Sequence, residues 1–124
     1  MSKHAIKIDV KTQYLQSQSY PDKQHYVFSY TITVHNQSQH NIQLLSREWH
    51  IVDADNKVTR VAGEGVVGQK PIINANQSFS YTSGTVLATP IGTMQGHYLM
   101  TDHNGEHFNC DIPSFRLAIP NIIH

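Results

Sequence analysis

A two-residue alternation dominates the chain. From Tyr26 to Val34, the large β-formers Tyr26, Phe28, Tyr30, Ile32 and Val34 alternate with Val27, Ser29, Thr31 and Thr33. Successive side chains of a strand point to opposite faces, so the segment reads as a strand with one buried and one solvated face. Ile6, Ile8 and Val10 repeat the pattern with Lys7, Asp9 and Lys11 opposite. A charged outer row suits an edge strand, because it discourages pairing with other molecules. Leu45, Trp49 and Ile51, with Arg47 on the same side, supply the inward face of a strand over 41–52. The polar cluster Asp53-Ala54-Asp55-Asn56-Lys57 then turns the chain into a returning strand at Val58–Val61.

Segments 77–83, 97–101, 107–112 and 115–118 read the same way. Pro113-Ser114 separates the last two and predicts a bend or a change of sheet. Asn104-Gly105 predicts a two-residue hairpin that sets His103 opposite Glu106 and Asp102 opposite His107. No window of about 11 residues carries a helical apolar stripe free of breakers. The expectation is an all-β sandwich or barrel of about seven to eight short strands, a single domain spanning 1–124.

Charge narrows the function classes. Nine Lys and Arg balance nine Asp and Glu, for a formal net charge of zero. Nucleic acid and anionic lipid both select for a basic excess, so neither is an expected partner. The only cysteine, Cys110, excludes an intrachain disulfide framework and a Cys-based zinc site. It lies in phase with Phe108 and Ile112 and is expected to be a buried, inert thiol. No apolar run approaches the roughly 18 residues of a membrane span, and the N-terminal residues do not resemble a signal peptide. The expected location is the cytoplasm, without membrane insertion.

Three constellations carry possible chemistry. Gly63-Glu64-Gly65-Val66-Val67-Gly68 is a formal G-x-G-x-x-G. A dinucleotide-binding motif needs a helix after its glycines, to offer N–H groups to the pyrophosphate. Here Pro71 disfavours helix at Lys70, and no acidic residue stands about 20 positions on. The expected structure is a loop between strands, with positive-φ positions or a bulge. Gly63, Gly65 and Gly68 stay candidates for binding an anion or phosphate through backbone N–H groups.

Nine histidines raise a metal question, sharpest at His103-x-x-x-His107, yet no spacing places a third ligand, so no metal or other cofactor is expected. His4 and His124 are terminal. Arg47 and Trp49 share one side of their strand. Trp49 reads first as a core aromatic; an exposed pair would be a protein-interaction candidate, since Trp and Arg dominate such contacts. Ser80 and Ser83 lack a nucleophile elbow, so no catalytic residue is assigned.

Five blocks in order resemble a known family. They are Leu44-Leu45-Ser46-Arg47-Glu48-Trp49-His50-Ile51, the glycine segment through Pro71, Tyr81-Thr82-Ser83-Gly84, Gly92-Thr93-Met94-Gln95-Gly96-His97-Tyr98, and Ile112-Pro113-Ser114-Phe115-Arg116-Leu117. Together they look like the signature of the bacterial ApaG (CorD) family. Asn74-Ala75-Asn76-Gln77 stands where such proteins often have a Pro-Gly turn, and Asn76 suits a left-handed conformation there. The resemblance implies a fibronectin type III or immunoglobulin-like β-sandwich. It also implies an association with cobalt resistance and magnesium efflux, and a domain of protein-recognition type with no agreed catalytic residues. The expectation is a non-enzymatic module for protein–protein interaction, its partner unidentified, with homodimerisation open to a sandwich with exposed edges. The alternative is a nucleotide- or pyrophosphate-binding regulator using the Gly63–Gly68 loop. A metal-buffering role would need three or more ligating side chains to converge.

Overall fold

The alternating segments pair as antiparallel strands in a computed structural model that describes residues 5–121. In chain order they are β1 (Ile6–Tyr14), β2 (Tyr26–Asn36), β3 (Ile42–Asp53), β4 (Val58–Glu64), β5 (Ile72–Ile73), β6 (Ser78–Leu87), β7 (Ile91–Thr101) and β8 (His107–Ala118). One sheet runs β1-β2-β6; the other runs β4-β3-β7-β8, with the short β5 added to β3. Two single-turn 3-10 segments, Gln16–Gln18 and Pro21–Lys23, fill the β1–β2 connection. Ser19 ties that connection down: its Oγ donates to Leu15 O (2.8 Å) and accepts from Val27 N–H (2.9 Å).

The inward rows of both sheets form one core. Phe28, Ile32 and Val34 from β2 meet Leu44, Trp49, Tyr98 and Leu117 from the second sheet, all essentially without solvent exposure. Trp49 is its centre, with the Tyr30 and Phe115 rings edge-on at 5.4 and 5.8 Å. Its Nε1–H has no hydrogen-bond partner among the described residues, a cost that the aromatic packing offsets. The Tyr81 and Tyr98 hydroxyls hydrogen-bond across the sandwich at 2.5 Å, so two buried polar groups satisfy each other. Burial pushes Tyr81 up to about 12, and burial pushes Tyr98 further above the ordinary tyrosine value.

Three expectations are corrected by ladder geometry. Leu44, not Leu45, is the core residue of early β3: Ile42 and Leu44 are buried, whereas Leu45 is half-buried. The β3–β7 register shifts between Leu44 and Ser46. Leu45 is therefore an extra residue that reverses the inward phase before Trp49. Pro113-Ser114 neither ends a strand nor changes sheet. The pairs Met94–Phe115 and Gly96–Ile112 leave Pro113 and Ser114 opposite Gln95 alone, a bulge within one continuous β8. As β8 is an edge strand, the proline there removes no interior ladder bond. The β7–β8 loop holds three residues rather than two. Thr101 pairs with His107, Asp102 N–H donates to Glu106 O (3.0 Å), and Gly105 is left-handed (φ +75).

The sheets are unequal. β1 packs beside β8 on one side of the sandwich. On the other side β6 ends the smaller sheet, and among the described residues no strand faces β4. Thr59 and Val61 pair with Ile51 and Trp49, so they point inward with them. Ile51 is buried, whereas Val61 is 37% exposed. The sandwich is open along β4.

Candidate functional site

The glycine-rich segment folds as the loop its sequence suggests. Val66 and Gln69 exchange backbone hydrogen bonds (Val66 N to Gln69 O 2.8 Å, Gln69 N to Val66 O 2.9 Å). Between them Val67 (φ +42) and Gly68 (φ +78) both lie at positive φ, as in a type I′ turn. Gly65 is also left-handed (φ +64), and a Cβ there would lie 2.3 Å from Gln69 O. Val66 is fully buried and anchors the loop in the core. Strand β5 follows, and no helix.

Arg47 is the second half of this arrangement. Gly63 sits opposite it in the β3–β4 ladder, and a Cβ on Gly63 would lie 2.9 Å from Arg47 Nη1. With that path clear, Nη1 donates to Glu64 O (3.2 Å) and Gly65 O (3.0 Å). Gly65 N–H donates to Leu45 O (2.7 Å), and Lys70 pairs with Glu64 at 2.9 Å. Thus Gly63 gives room to a guanidinium, while Gly65 and Gly68 shape the turn. The N–H groups of Gly65, Val66 and Gln69 are directed at carbonyls, and no helix terminus lies beside them. Trp49, at 1% exposure, lies within the core rather than on a contact surface. Arg47 is half-buried and engaged by its own chain. The two residues share a strand and a phase, but no exposed patch.

Two polar clusters were not legible in the chain because they exist only across strands. On the outer face of the smaller sheet, Asp9 Oδ2 lies 2.8 Å from His35 Nε2, and His35 Nδ1 lies 2.7 Å from Ser78 Oγ. Hydroxyl pairs Thr33–Ser80 and Thr31–Thr82, both 2.7 Å, continue this row. The Asp9–His35–Ser78 sequence holds the imidazole by both nitrogens and ties three strands together. Its open setting, with Asp9 54% exposed, screens the charge interactions that a hydrolase depends on. On the outer face of the larger sheet, Glu48 lies between His97 (3.3 Å) and His50 (3.6 Å), and Asp111 stands opposite His97 in the β7–β8 ladder.

The other candidate groups lie apart. His40 and His103 stack at 3.7 Å between ring centres, and His107 follows on β8. Among the described residues no three His, Cys, Asp or Glu side chains are arranged to hold a metal ion. His4 and His124 lie outside those residues. Cys110 is half-buried rather than fully enclosed, and burial raises its thiol to about 11. No helix among the described residues is long and apolar enough to cross a membrane.

A further recognition feature is the open side. A cleft runs between the edges of β4 and β6, with Ile51, Thr59, Val61, Val86 and Leu87 in its walls and Asp53 and Lys57 at one end. Val61 and Val86 are 37% and 50% exposed along it. Alternation predicts each strand here, but which inward residue stays uncovered depends on how many strands each sheet receives.

Fold and loop together define a fibronectin type III-like sandwich, closed at one end by an arginine-held glycine turn. The chain belongs to the ApaG domain family, whose model matches residues 16–102. It is 54% identical over 117 residues to Protein ApaG of Pectobacterium carotovorum subsp. carotovorum strain PC1, covering 94% of each chain. It is 51% identical over 124 residues to Protein ApaG of Vibrio atlanticus strain LGP32, covering 100% of this chain and 98% of that one. The crystal structure of an ApaA protein from Bordetella pertussis superposes with a TM-score of 0.93 at 42% identity, over 96% of this chain and 97% of that one.

Proposed function

We propose that this chain is a non-enzymatic cytoplasmic module that binds a protein partner through the open side between β4 and β6. The observation that carries the reading is the uncovered inward face of β4. A monomeric sandwich buries such a face, and exposed apolar surface flanked by polar rims is typical of contact sites. The formal charge of zero agrees with short-range recognition by shape and backbone groups rather than long-range steering. In this reading, cobalt resistance and magnesium efflux depend on the partner, and this chain supplies recognition instead of a metal centre.

Photo-crosslinking in living cells tests the reading. A photoreactive residue at Val61 is expected to give a discrete adduct, while the same residue at Lys11, on the opposite edge, gives none. Absence of an adduct at Val61, or identical adducts at both positions, overturns it.

A further inference from the structure

Four strands end the two sheets: β1, β6, β4 and β8. Three carry features that block pairing with another strand. β1 has Lys7, Asp9 and Lys11; β4 has Arg60 and Glu64; β8 has Asp111, Arg116, Pro113 and a bulge. β6, Ser78 to Leu87, contains no charged residue and no proline along its ten residues. Its backbone is also correctly aimed. Asn36 N–H donates to Gln77 O (2.9 Å), which makes His35–Ser78 a non-hydrogen-bonded pair of the β2–β6 ladder. By alternation, the N–H and C=O groups of Ser78, Ser80, Thr82, Gly84 and Val86 point away from β2 and out of the sheet edge.

A strand added to this edge lies over the uncovered face of β4. Its inward residues meet Ile51, Thr59 and Val61, and its outward residues continue the hydroxyl rows of Thr31–Thr82 and Thr33–Ser80. We propose that β6 receives a fourth strand from the partner: an extended, uncharged segment with apolar residues at alternate positions. It pairs with the β6 edge and completes a four-on-four sandwich. A second copy of this chain fits less well. Two β6 edges paired about a two-fold axis keep Tyr81 and Leu87 in their own cores, where they are 6% and 4% exposed, and leave Val61 uncovered. The proposal rests on the reading that the open side binds a protein, and specifies how.

The probe is a short peptide of alternating threonine and valine with a lysine at each end, added to the full chain and followed by amide hydrogen exchange. Exchange at Ser78, Ser80, Thr82, Gly84 and Val86 is expected to slow on binding, while amides of β1 and β8 do not change. The same peptide N-methylated at alternate residues is expected to give no protection. Thr82→Pro removes an outward N–H without removing a β2 ladder bond, and weakens peptide binding about tenfold, the upper end for one backbone hydrogen bond. Thr82→Lys, which keeps the backbone intact and places a charge on the outer face of the edge strand, is expected to weaken binding in the same direction.

No slowed exchange on β6 at any soluble peptide concentration overturns the proposal, as does equal protection of β1 or β8. A concentration-dependent dimer in sedimentation, abolished by Thr82→Lys, also overturns it by making a second copy the occupant. If the Val61 crosslink persists in Thr82→Pro and Thr82→Lys, strand addition fails while binding at the open side stands. If no Val61 crosslink forms, both fail.

Discussion

Gly65, Gly68 and Gly96 resist substitution for different reasons. A Cβ on Gly96 would lie 2.0 Å from Glu48 O on the neighbouring strand, so Gly96→Ala must push β7 away from β3. We expect a loss of about 1–3 kcal/mol, the usual range for forced overpacking. Gly68 has open space around it and only a positive φ (+78). Gly68→Ala should cost about 1–2 kcal/mol, the left-handed penalty alone. Gly65 combines both constraints, so Gly65→Ala should be worse than Gly68→Ala. Urea unfolding of the three variants, read as midpoint shifts at constant slope, checks the order. Titration also acts at this scale. Cys110 rises from 9.0 to about 11 and Tyr81 from 10.0 to about 12 on folding. In each case the folded state favours the neutral form. Their stabilising contribution is therefore complete below the unfolded values and fades as pH rises, from about 9 to 11 for Cys110 and from 10.0 to about 12 for Tyr81. Urea midpoints measured between pH 8 and pH 12 should fall on the alkaline side. Iodoacetamide should alkylate native Cys110 at pH 8 more slowly than the unfolded chain by up to about a hundredfold, following the thiolate fraction.

Among the elements, β3 shows what alternation can and cannot reveal. The inward placement of Trp49 and Ile51 follows from their period, and so does β2 from Tyr26 to Val34, though not its buried end at Asn36. The reversal at Leu45 does not, because a bulge adds a residue without changing local composition. Extending the Trp49 phase backwards therefore selects Leu45 over the true core residue Leu44. Pro113 misleads for a related reason. A proline disrupts an interior ladder but not an edge strand, and edge status is a property of sheet order, which β8 acquires only on folding. The glycine segment was legible as a loop, since Pro71 opposes a helix after the glycines. Its arginine partner was not, because Arg47 and Gly63 meet through the β3–β4 register. The bulge gives a direct test. Deleting Leu45 takes out the extra residue, so Ile42 and Leu44 keep the inward phase of Trp49 and the existing β7 register, whereas deleting His50 puts Ile51 out of phase with Trp49. The Leu45 deletion should retain cooperative unfolding, whereas the His50 deletion should abolish it. Near-ultraviolet circular dichroism of the Trp49 environment separates the two outcomes.

At the scale of the molecule, three strands face four, and this inequality makes stability and binding separable. On a closed sandwich, inward positions of paired strands carry similar weight, because each is covered from the opposite sheet. Here Ile51 and Thr59 are cross-strand partners, as are Trp49 and Val61, yet only the β3 member of each pair is buried. Substituting Lys at Ile51 puts a charge into the core, and should unfold the domain or cost several kcal/mol. Substituting Lys at Val61, on the same face one strand away, should stay within about 0.5 kcal/mol, as at an ordinary surface position. Thermal melts of Ile51→Lys and Val61→Lys decide the matter. If Val61→Lys proves as damaging as Ile51→Lys, the face of β4 is covered in solution and the open side does not exist. If Val61→Lys melts like the parent chain, fold stability places no demand on an apolar side chain there. The apolar side chain of Val61, with Val86 at the facing β6 edge, then has to be explained by what it binds.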